Sequence, residues 1–342
     1  MLSRRQILLA PLLLAACGKG AEHRTRPLFA ADTHPDEYPT VQALHAIDRL
    51  LNERTNGEMR VRVYAGGQMG AEKDTLEITV FGGLDLNRVN LAPLNSIVPE
   101  SIALALPFIF RSISHARAVF DGSVGRTILN AMQPHGLHGL CYYDSGARSF
   151  YNTKRPIRTP DDLRGLKIRV QNSDIYVGMV QALGANPTPI PYGEVYQALV
   201  QGVVDGAENN WPSYESSRHY EVARNYSLTR HVMAPEVLVA SERSWTRMTL
   251  EEQSYLQAAA IDSVPLMRDM WDARVDSSRN RVLKSGVELV EDLDHAAFAE
   301  RMLPVWDQFL TTPALRALAD DIVSVSPDTA EEASDDQDAI KT

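Results

Sequence analysis

The clearest indication of the fold lies in residues 166–209, which read LKIRVQNSDIYVGMVQALGANPTPIPYGEVYQALVQGVVDGAEN. The apolar run Leu166–Val170 predicts a short strand. Ser173 follows as the expected N-cap of a helix, and Gly184 is the expected end of that helix. A strand followed directly by a helix is the beginning of an α/β unit.

The rest of this stretch continues the alternation. Pro187, Pro189 and Pro191 predict a stiff connector, because each proline fixes its own backbone angle. Tyr192–Gln201 then has helical character, and Gly206–Asn209 predicts another strand. Strands and helices that alternate along the chain indicate an α/β fold.

The N-terminal part of the chain shows the same pattern. Apolar residues recur at helical spacing over Val41–Leu51, and Met59–Val63 alternates as a half-buried strand does. Glu72–Phe81 predicts a second helix, and Asp85–Leu91 predicts a second strand. Two such groups of α/β units in a chain of 342 residues predict two domains.

A long helical pattern occupies the C-terminal third. Thr249 begins it with a capping box, and only Pro265 interrupts it before Lys284. This pattern is consistent with one long helix kinked at the proline or with two successive helices. Val287–Val290 predicts a further strand, and Asp294–Leu310 predicts a further amphipathic helix.

The composition excludes several classes of function. The chain has 34 Lys and Arg residues against 44 Asp and Glu residues, a formal charge of -10. Binding to a nucleic-acid backbone needs clustered basic residues, and no such cluster is present, so nucleic acid is not an expected partner. The two cysteines cannot form a disulfide scaffold, and no Cys/His pair has zinc spacing. We expect neither a metal nor a cofactor.

No motif supports catalysis. The sequence lacks a dinucleotide-binding fingerprint, a P-loop, a G-x-S-x-G elbow and an H-E-x-x-H zinc motif. His135 and His138 are close in sequence, but no further metal ligand is near them, and a surface turn explains them better. We therefore expect that the protein is not an enzyme.

The first residues have the form of an export signal. Residues 1–17 contain two arginines, an apolar run and small residues before Cys17. Leu14–Cys17 resembles a lipobox, in which the cysteine is acylated and anchors the mature protein; cleavage nearby with loss of the cysteine is the alternative. Residues 18–27 predict a tether, and residues 327–342 an acidic, disordered tail. The protein is expected in the periplasm, anchored to the membrane if Cys17 carries a lipid.

Two arginines lie where an anion would bind. Arg169 is inside an apolar strand, where a guanidinium needs an anionic partner. That partner is either a ligand or an interior acid such as Glu208 or Asp205. Arg148 follows a glycine turn and precedes aromatic residues, which suits an anion site and equally a surface charge. The amides, carboxylate and indole of Glu208–Pro212 can bind hydroxyl groups, or they form a turn around a packed tryptophan.

The same region carries a family resemblance. Its segments, matched in order and spacing, are Tyr143–Val170, Leu183–Pro189, Tyr192–Leu199 and Gly202–Asn209. The sequence resembles the solute receptors of TRAP (tripartite ATP-independent periplasmic) transporters, the dicarboxylate-receptor family, over most of the mature chain. The resemblance implies a two-lobed α/β periplasmic solute-binding fold with a hinge and a long helix that spans both lobes.

The resemblance also implies how the chain divides. Lobe I would comprise residues 28–147, with residues 232–265 returning to it. Lobe II would comprise residues 148–231 and part of residues 266–312. The lobes of such receptors close around one ligand in a cleft without covalent chemistry.

Roles for three residues follow from the resemblance. Arg169 is the arginine of the Lys-Ile-Arg strand, which binds the ligand carboxylate in this family. A planar, bidentate pair is a physical reason to use arginine and not lysine at this position. Arg148 resembles a second contact, and Asn209 resembles a third.

Further ligand contacts are expected from polar side chains of mixed chemistry. These residues are His34, Glu72, Lys73, Asn90, Asn210 and Glu236. Glu72 and Lys73 are also consistent with the solvated first turn of a helix, and Glu236 with a charge at a strand edge.

The expected ligand is a hexuronate. Three segments are most similar to those of family members that bind glucuronate or galacturonate: Glu208–His219, Thr33–Pro35 and Arg88–Asn90. A uronate has one carboxylate and several hydroxyls, whereas a C4-dicarboxylate needs cations at both ends. The expected protein partners are the small and large integral membrane subunits of a TRAP transporter. The alternatives are a receptor for a C4-dicarboxylate or another sugar acid, a receptor that signals to a membrane sensor, and an exported enzyme that acts on uronates.

Overall fold

The computed structural model describes residues 26–326. The predicted export signal, the lipidation at Cys17, most of the tether and the acidic tail lie outside the described residues. The strands are β1 (Leu28–Ala31), β2 (Val61–Tyr64), β3 (Leu86–Asn90), β4 (Leu137–Tyr143), β5 (Arg148–Asn152), β6 (Lys167–Val170), β7 (Asn186–Pro189), β8 (Gly206–Asn209), β9 (Asn225–Val232), β10 (Glu236–Ser241) and β11 (Glu288–Val290). The α-helices are α1 (Pro39–Arg54), α2 (Glu72–Val80), α3 (Leu91–Leu94), α4 (Ile113–Asp121), α5 (Ser123–Asn130), α6 (Asp174–Ala182), α7 (Val195–Val200), α8 (Trp211–Ser216), α9 (Glu242–Trp245), α10 (Leu250–Lys284), α11 (His295–Phe309) and α12 (Pro313–Ser324).

The strands form two sheets, and each sheet is the centre of one lobe. The first sheet has the strand order β2-β1-β3-β10-β4, and the second has the order β11-β9-β5-β8-β6-β7. The chain passes from the first sheet to the second between β4 and β5, and it returns between β9 and β10. These two crossings are adjacent, because Arg148 at the start of β5 pairs with Val232 at the end of β9. Two neighbouring connections between lobes are the arrangement that permits hinge closure.

The helix α10 connects the lobes a third time. It is one helix of 35 residues, so it is about 52 Å long. Thr249 and Glu252 form the predicted capping box, and Pro265 lies inside the helix without dividing it. Trp271 packs in the core of the first lobe, whereas Val282 packs in the core of the second. The prediction of one long helix that spans both lobes is therefore confirmed.

The predicted alternation of helices and strands is confirmed in both lobes, with two differences. The proline connector is wrong, since Pro187 and Pro189 lie in β7, paired in parallel with β6. β7 is the edge strand of its sheet, where a missing N–H leaves no ladder bond broken. Ser173 precedes α6 as predicted but does not cap it through its side chain, because its Oγ accepts a hydrogen bond from Asn95 Nδ2 at 3.0 Å.

Several elements were not predicted from the sequence, among them β1, β4, β5, β9, β10, α4, α5 and α12. In β9 the buried residues include Ser227, Thr229 and His231, so the strand has no apolar alternation that could predict it. α12 packs against the first lobe near the start of α4, where Arg111 donates hydrogen bonds to the carbonyl oxygens of Val323 and Val325, each at 2.8 Å. Nothing in the composition of residues 313–324 indicates this contact. The predicted residue limits of the two lobes stay a prediction.

Within residues 26–326, no helix combines the length and the apolar character that a membrane span requires. The same residues contain no group of three or more His, Cys, Asp or Glu side chains that could bind a metal ion.

Candidate ligand-binding cleft

A cavity of about 320 Å³ lies between the two lobes. Thr33, Glu72 and Lys73 of the first lobe line one side of it, and Arg169 and Tyr192 of the second lobe line the other. Glu72 and Lys73 form the first turn of α2, while Arg169 projects from β6. The fold therefore brings predicted site residues from both lobes to one cavity.

Arg169 is buried but has no carboxylate partner among the described residues. Only 2% of the residue is exposed, and its Nε donates a hydrogen bond to the carbonyl oxygen of Ile190 at 2.8 Å. Within residues 26–326 its two terminal amino groups have no hydrogen-bond acceptor. Burial lowers the pKa of the Arg169 guanidinium, although the nearby Glu208 carboxylate acts in the opposite direction. An unpaired buried cation that lines a cavity is suited to bind an anion.

The two interior acids predicted as alternative partners of Arg169 are engaged elsewhere. Glu208 is hydrogen-bonded to Arg148, and Asp205 accepts a hydrogen bond from the backbone N–H of Lys167 at 2.9 Å. Neither carboxylate is hydrogen-bonded to Arg169. The geometry thus favours a ligand as the missing partner.

Arg148 has the opposite environment. Its Nε and Nη2 donate hydrogen bonds to the Glu208 carboxylate, Nη2 also donates to the Glu208 carbonyl, and Nη1 donates to Asn209 Oδ1 at 2.9 Å. Burial alone would raise the pKa of the Glu208 carboxyl, but Arg148, together with His231, lowers that pKa to about 2. Four of the five N–H groups of Arg148 are engaged, so one N–H on Nη1 is left for a ligand.

Two adjacent asparagines lie at the end of β8, with different environments. Asn209 Oδ1 accepts hydrogen bonds from Arg148 and from the backbone N–H of Asn210, while its Nδ2 has no acceptor within residues 26–326. Asn210 is fully engaged, because its Oδ1 caps α8 through Ser213 N and its Nδ2 donates to the carbonyl and hydroxyl oxygens of Ser145. The structure therefore leaves the Asn209 amide free to donate, whereas the Asn210 amide joins the lobes.

In the first lobe, predicted residues are organised around Arg88, which is fully buried. Its Nη1 donates to Glu72 Oε1 at 2.6 Å and to Glu236 Oε2 at 2.7 Å, and its Nη2 donates to Asp32 Oδ1. Burial alone would raise the pKa of the Asp32 carboxyl, but Arg88 and His34 lower it well below its ordinary value. Three carboxylates around one guanidinium give this network a net negative charge, and Glu72 is the one of the three that lines the cavity.

The remaining predicted residues of the first lobe border the same network. His34 Nδ1 lies 2.8 Å from Arg88 Nη2, and the ring stacks on Tyr38 with 3.9 Å between the centroids. Asn90 caps α3 through its Oδ1 and donates from Nδ2 to Glu236 Oε1 at 3.1 Å. Lys73 is exposed and makes no ion pair or hydrogen bond with any residue from 26 to 326. The structure thus brings His34 and Asn90 into a buried polar network, and it leaves Lys73 at the rim.

Three residues at or behind the cleft were not among the predicted contacts: Tyr192 lines the cavity, whereas Arg88 and Asp32 lie in the buried network behind it. The Tyr192 ring lies 5.4 Å from the His34 ring, across the gap between the lobes. One signal could have identified Arg88, because it lies inside the buried strand β3 just as Arg169 lies inside β6. No comparable signal precedes Asp32 or Tyr192, whose positions depend on tertiary contacts.

The sequence model of a protein family, the bacterial extracellular solute-binding proteins of family 7 (DctP), matches residues 30–312 of this chain. The chain belongs to this family. A curated solute-binding protein from Chromohalobacter salexigens is 42% identical over 290 residues, which are 84% of this chain and 86% of that protein. The predicted family, the receptors of TRAP transporters, is thereby confirmed.

Solved structures of TRAP periplasmic solute-binding proteins resemble the described fold. The protein from Bradyrhizobium sp. BTAi1, in complex with α/β-D-galacturonate, is 50% identical with a TM-score of 0.87, over 88% of this chain and 100% of that chain. The protein from Chromohalobacter salexigens, with bound D-glucuronate, is 41% identical with a TM-score of 0.84, over 86% of this chain and 99% of that chain. The predicted two-lobed α/β solute-binding fold is confirmed by this similarity.

Proposed function

We propose that this receptor binds a hexuronate, D-glucuronate or D-galacturonate, and delivers it to the small and large integral membrane subunits of a TRAP transporter. The observation that carries the proposal is the Arg169 guanidinium, which is buried in the cleft with both terminal amino groups unpaired among the described residues. A carboxylate would bind these two groups in bidentate geometry. The similar proteins with bound galacturonate and glucuronate support a sugar acid as the source of that carboxylate.

The other predicted contacts would serve the carboxylate end and the hydroxyl groups. Asn209 Nδ2 and the remaining N–H of Arg148 would be additional hydrogen-bond donors to the ligand carboxylate or to a neighbouring oxygen of the sugar ring. The hydroxyl groups of the ligand would contact residues of the first lobe and of the segment between the lobes. These residues are His34, Glu72, Lys73, Asn90, Asn210 and Glu236. The engaged amide of Asn210 makes it the weakest of these contacts.

The charge of the first-lobe wall supports a uronate over a C4-dicarboxylate. Asp32, Glu72 and Glu236 surround the single cation Arg88, and the Glu72 carboxylate lines the cavity, where a ligand hydroxyl can donate to it. A second carboxylate of the ligand would instead face like charges in a buried site, which is costly. The cleft is thus cationic at one end and anionic at the other, as a ligand with one carboxylate and several hydroxyls requires.

We also propose that the protein acts without covalent chemistry, in the periplasm. Its export would use residues 1–17, with acylation at Cys17 as the anchor, and its lobes would divide at residues 147 and 148. Mass spectrometry of the protein isolated from membranes would test the acylation, since an unmodified or absent Cys17 contradicts it.

A thermal-shift screen tests the proposed ligand, because a ligand that binds only the folded protein raises the melting temperature. The panel comprises glucuronate, galacturonate, succinate and neutral glucose. We expect both uronates to raise the melting temperature while succinate and glucose do not. Stabilisation by succinate equal to that by glucuronate would instead support the dicarboxylate alternative, and consumption of a uronate during incubation would support an enzyme.

A further inference from the structure

A second cavity of about 500 Å³ continues the ligand cleft along the gap between the lobes. Lys73, Pro93 and Asn172 line both cavities, so the two adjoin at these residues. Together they have more than twice the volume of the first cavity. The first alone is at the lower end of the range of about 300 to 1,000 Å³ that small-molecule sites occupy.

The lining of the second cavity has the chemistry of a sugar site. Ser96 from the first lobe and Asn172 from the second supply a hydroxyl and an amide, one on each side, whereas Asn95 Nδ2 already donates a hydrogen bond to Ser173 Oγ across the gap. Phe309 contributes an apolar surface, against which the face of a sugar ring can pack. Amides, hydroxyls and one aromatic ring are the groups that bind carbohydrate without needing a charged ligand.

The lining contains one cation and one carboxylate. Lys73 lies at the junction of the cavities and has no ion pair within residues 26–326, while Asp174 lines only the second cavity. The ammonium group of Lys73 is therefore available to a second carboxylate of a ligand that extends from Arg169 into the second cavity. Asp174 can accept hydrogen bonds from hydroxyl groups of the part of that ligand in the second cavity.

We propose that the cleft accepts an acidic disaccharide, with one uronate ring at Arg169 and a second uronate ring in the adjoining cavity. The carboxylate of the second ring pairs with Lys73, and its hydroxyls contact the polar side chains of Ser96, Asn172 and Asp174. This inference rests on the proposed function, because it takes the first ring to be a uronate. It extends the substrate class from monosaccharides to short uronate oligosaccharides.

Calorimetric titration of the protein with galacturonate and with α-1,4-linked digalacturonate tests the second subsite. We expect both ligands to bind, with the disaccharide within about tenfold of the monosaccharide or tighter. Ser96→Trp should fill the second cavity, so it should weaken the disaccharide about tenfold or more and leave the monosaccharide within about twofold. Ser277→Trp, on the exposed face of α10 outside both cavities, is the matched control. Thr311→Trp fills the cavity from the opposite side and replaces the first variant if that variant does not fold.

The outcomes separate this inference from the proposed function. Binding of the monosaccharide without the disaccharide overturns the second subsite alone, as does equal weakening of both ligands by Ser96→Trp. Binding of the disaccharide without the monosaccharide supports the second subsite and contradicts a monosaccharide receptor. Binding of neither ligand overturns both.

Discussion

Replacing Arg169 by methionine separates ligand binding from folding. The substitution removes the cation and keeps a side chain of similar length. The two unpaired amino groups of Arg169 would donate to the ligand carboxylate, and charge-assisted hydrogen bonds contribute roughly 1.5 to 3 kcal/mol each. The loss is therefore about 3 to 6 kcal/mol, which corresponds to a weakening of about 10²- to 10⁴-fold.

The same substitution should leave the ligand-free protein at least as stable as the wild type. Arg169 loses only one hydrogen bond, to the carbonyl of Ile190, and the variant no longer buries an unpaired guanidinium. Arg148→Met is the matched comparison, because it leaves the buried Glu208 carboxylate without its main partner. Breaking such a buried pair costs about 3 to 5 kcal/mol, so the Arg148 variant should melt well below the wild type.

The assay combines calorimetric titration with glucuronate and thermal melting without ligand. We expect Arg169→Met to lose binding with an unchanged or raised melting temperature. A melting temperature that falls as far as that of Arg148→Met would mean that Arg169 is paired inside the protein. Unchanged affinity for the uronate would refute the role of Arg169 as the carboxylate site.

Three further predictions concern other residues. Asn209→Ala should weaken uronate binding by about tenfold or less in titration, since it removes roughly one neutral hydrogen bond, and an unchanged affinity would exclude the contact. Glu72→Gln should raise the affinity for succinate relative to glucuronate, because it removes one negative charge from the first-lobe wall; an unchanged ratio of dissociation constants would contradict the charge argument. Burial lowers the pKa of the His219 imidazole from 6.5 to about 3, so the folded state disfavours the proton and stability is lost as the pH falls from 6.5 towards 3. His219→Gln, which can still bond the Tyr151 hydroxyl, should reduce the fall in melting temperature over this range, and an equally steep fall in the variant would assign it to other groups.

Much of the fold could be predicted because its causes are local. The helix α1 and the strand β2, for example, have apolar periodicity that a short window of sequence shows. β9 could not be predicted in this way, because its buried positions carry hydroxyl and imidazole groups that are satisfied by tertiary contacts. Thr229 Oγ1, for example, lies 2.8 Å from His231 Nδ1 and also accepts a hydrogen bond from the backbone N–H of Phe150 in the neighbouring strand.

The sequence was sufficient to predict that Arg169 and Arg148 belong to the candidate site, but not which residues the arginines of the site pair with. Arg169 and Arg148 both have sequence signals, and the sequence left a salt bridge and a ligand equally open for Arg169. The network around Arg88 joins Asp32, Glu72 and Glu236, which are separated by up to 148 residues from Arg88 along the chain. Contacts over such distances depend on which strands become neighbours, and one sequence does not contain that information.

Strand register explains why Arg148 and not Arg169 pairs with Glu208. In the second sheet Arg169 lies opposite Ala207, so its side chain shares a face with Ala207 and with Asn209, two residues further along β8. Glu208 lies on the other face, which it shares with Arg148, because Ser149 is the residue opposite Asn209. A shift of one residue in either pairing would exchange these faces. The unpaired guanidinium that can bind a carboxylate is therefore a consequence of register, and the same register places the free amide of Asn209 on its face of the sheet.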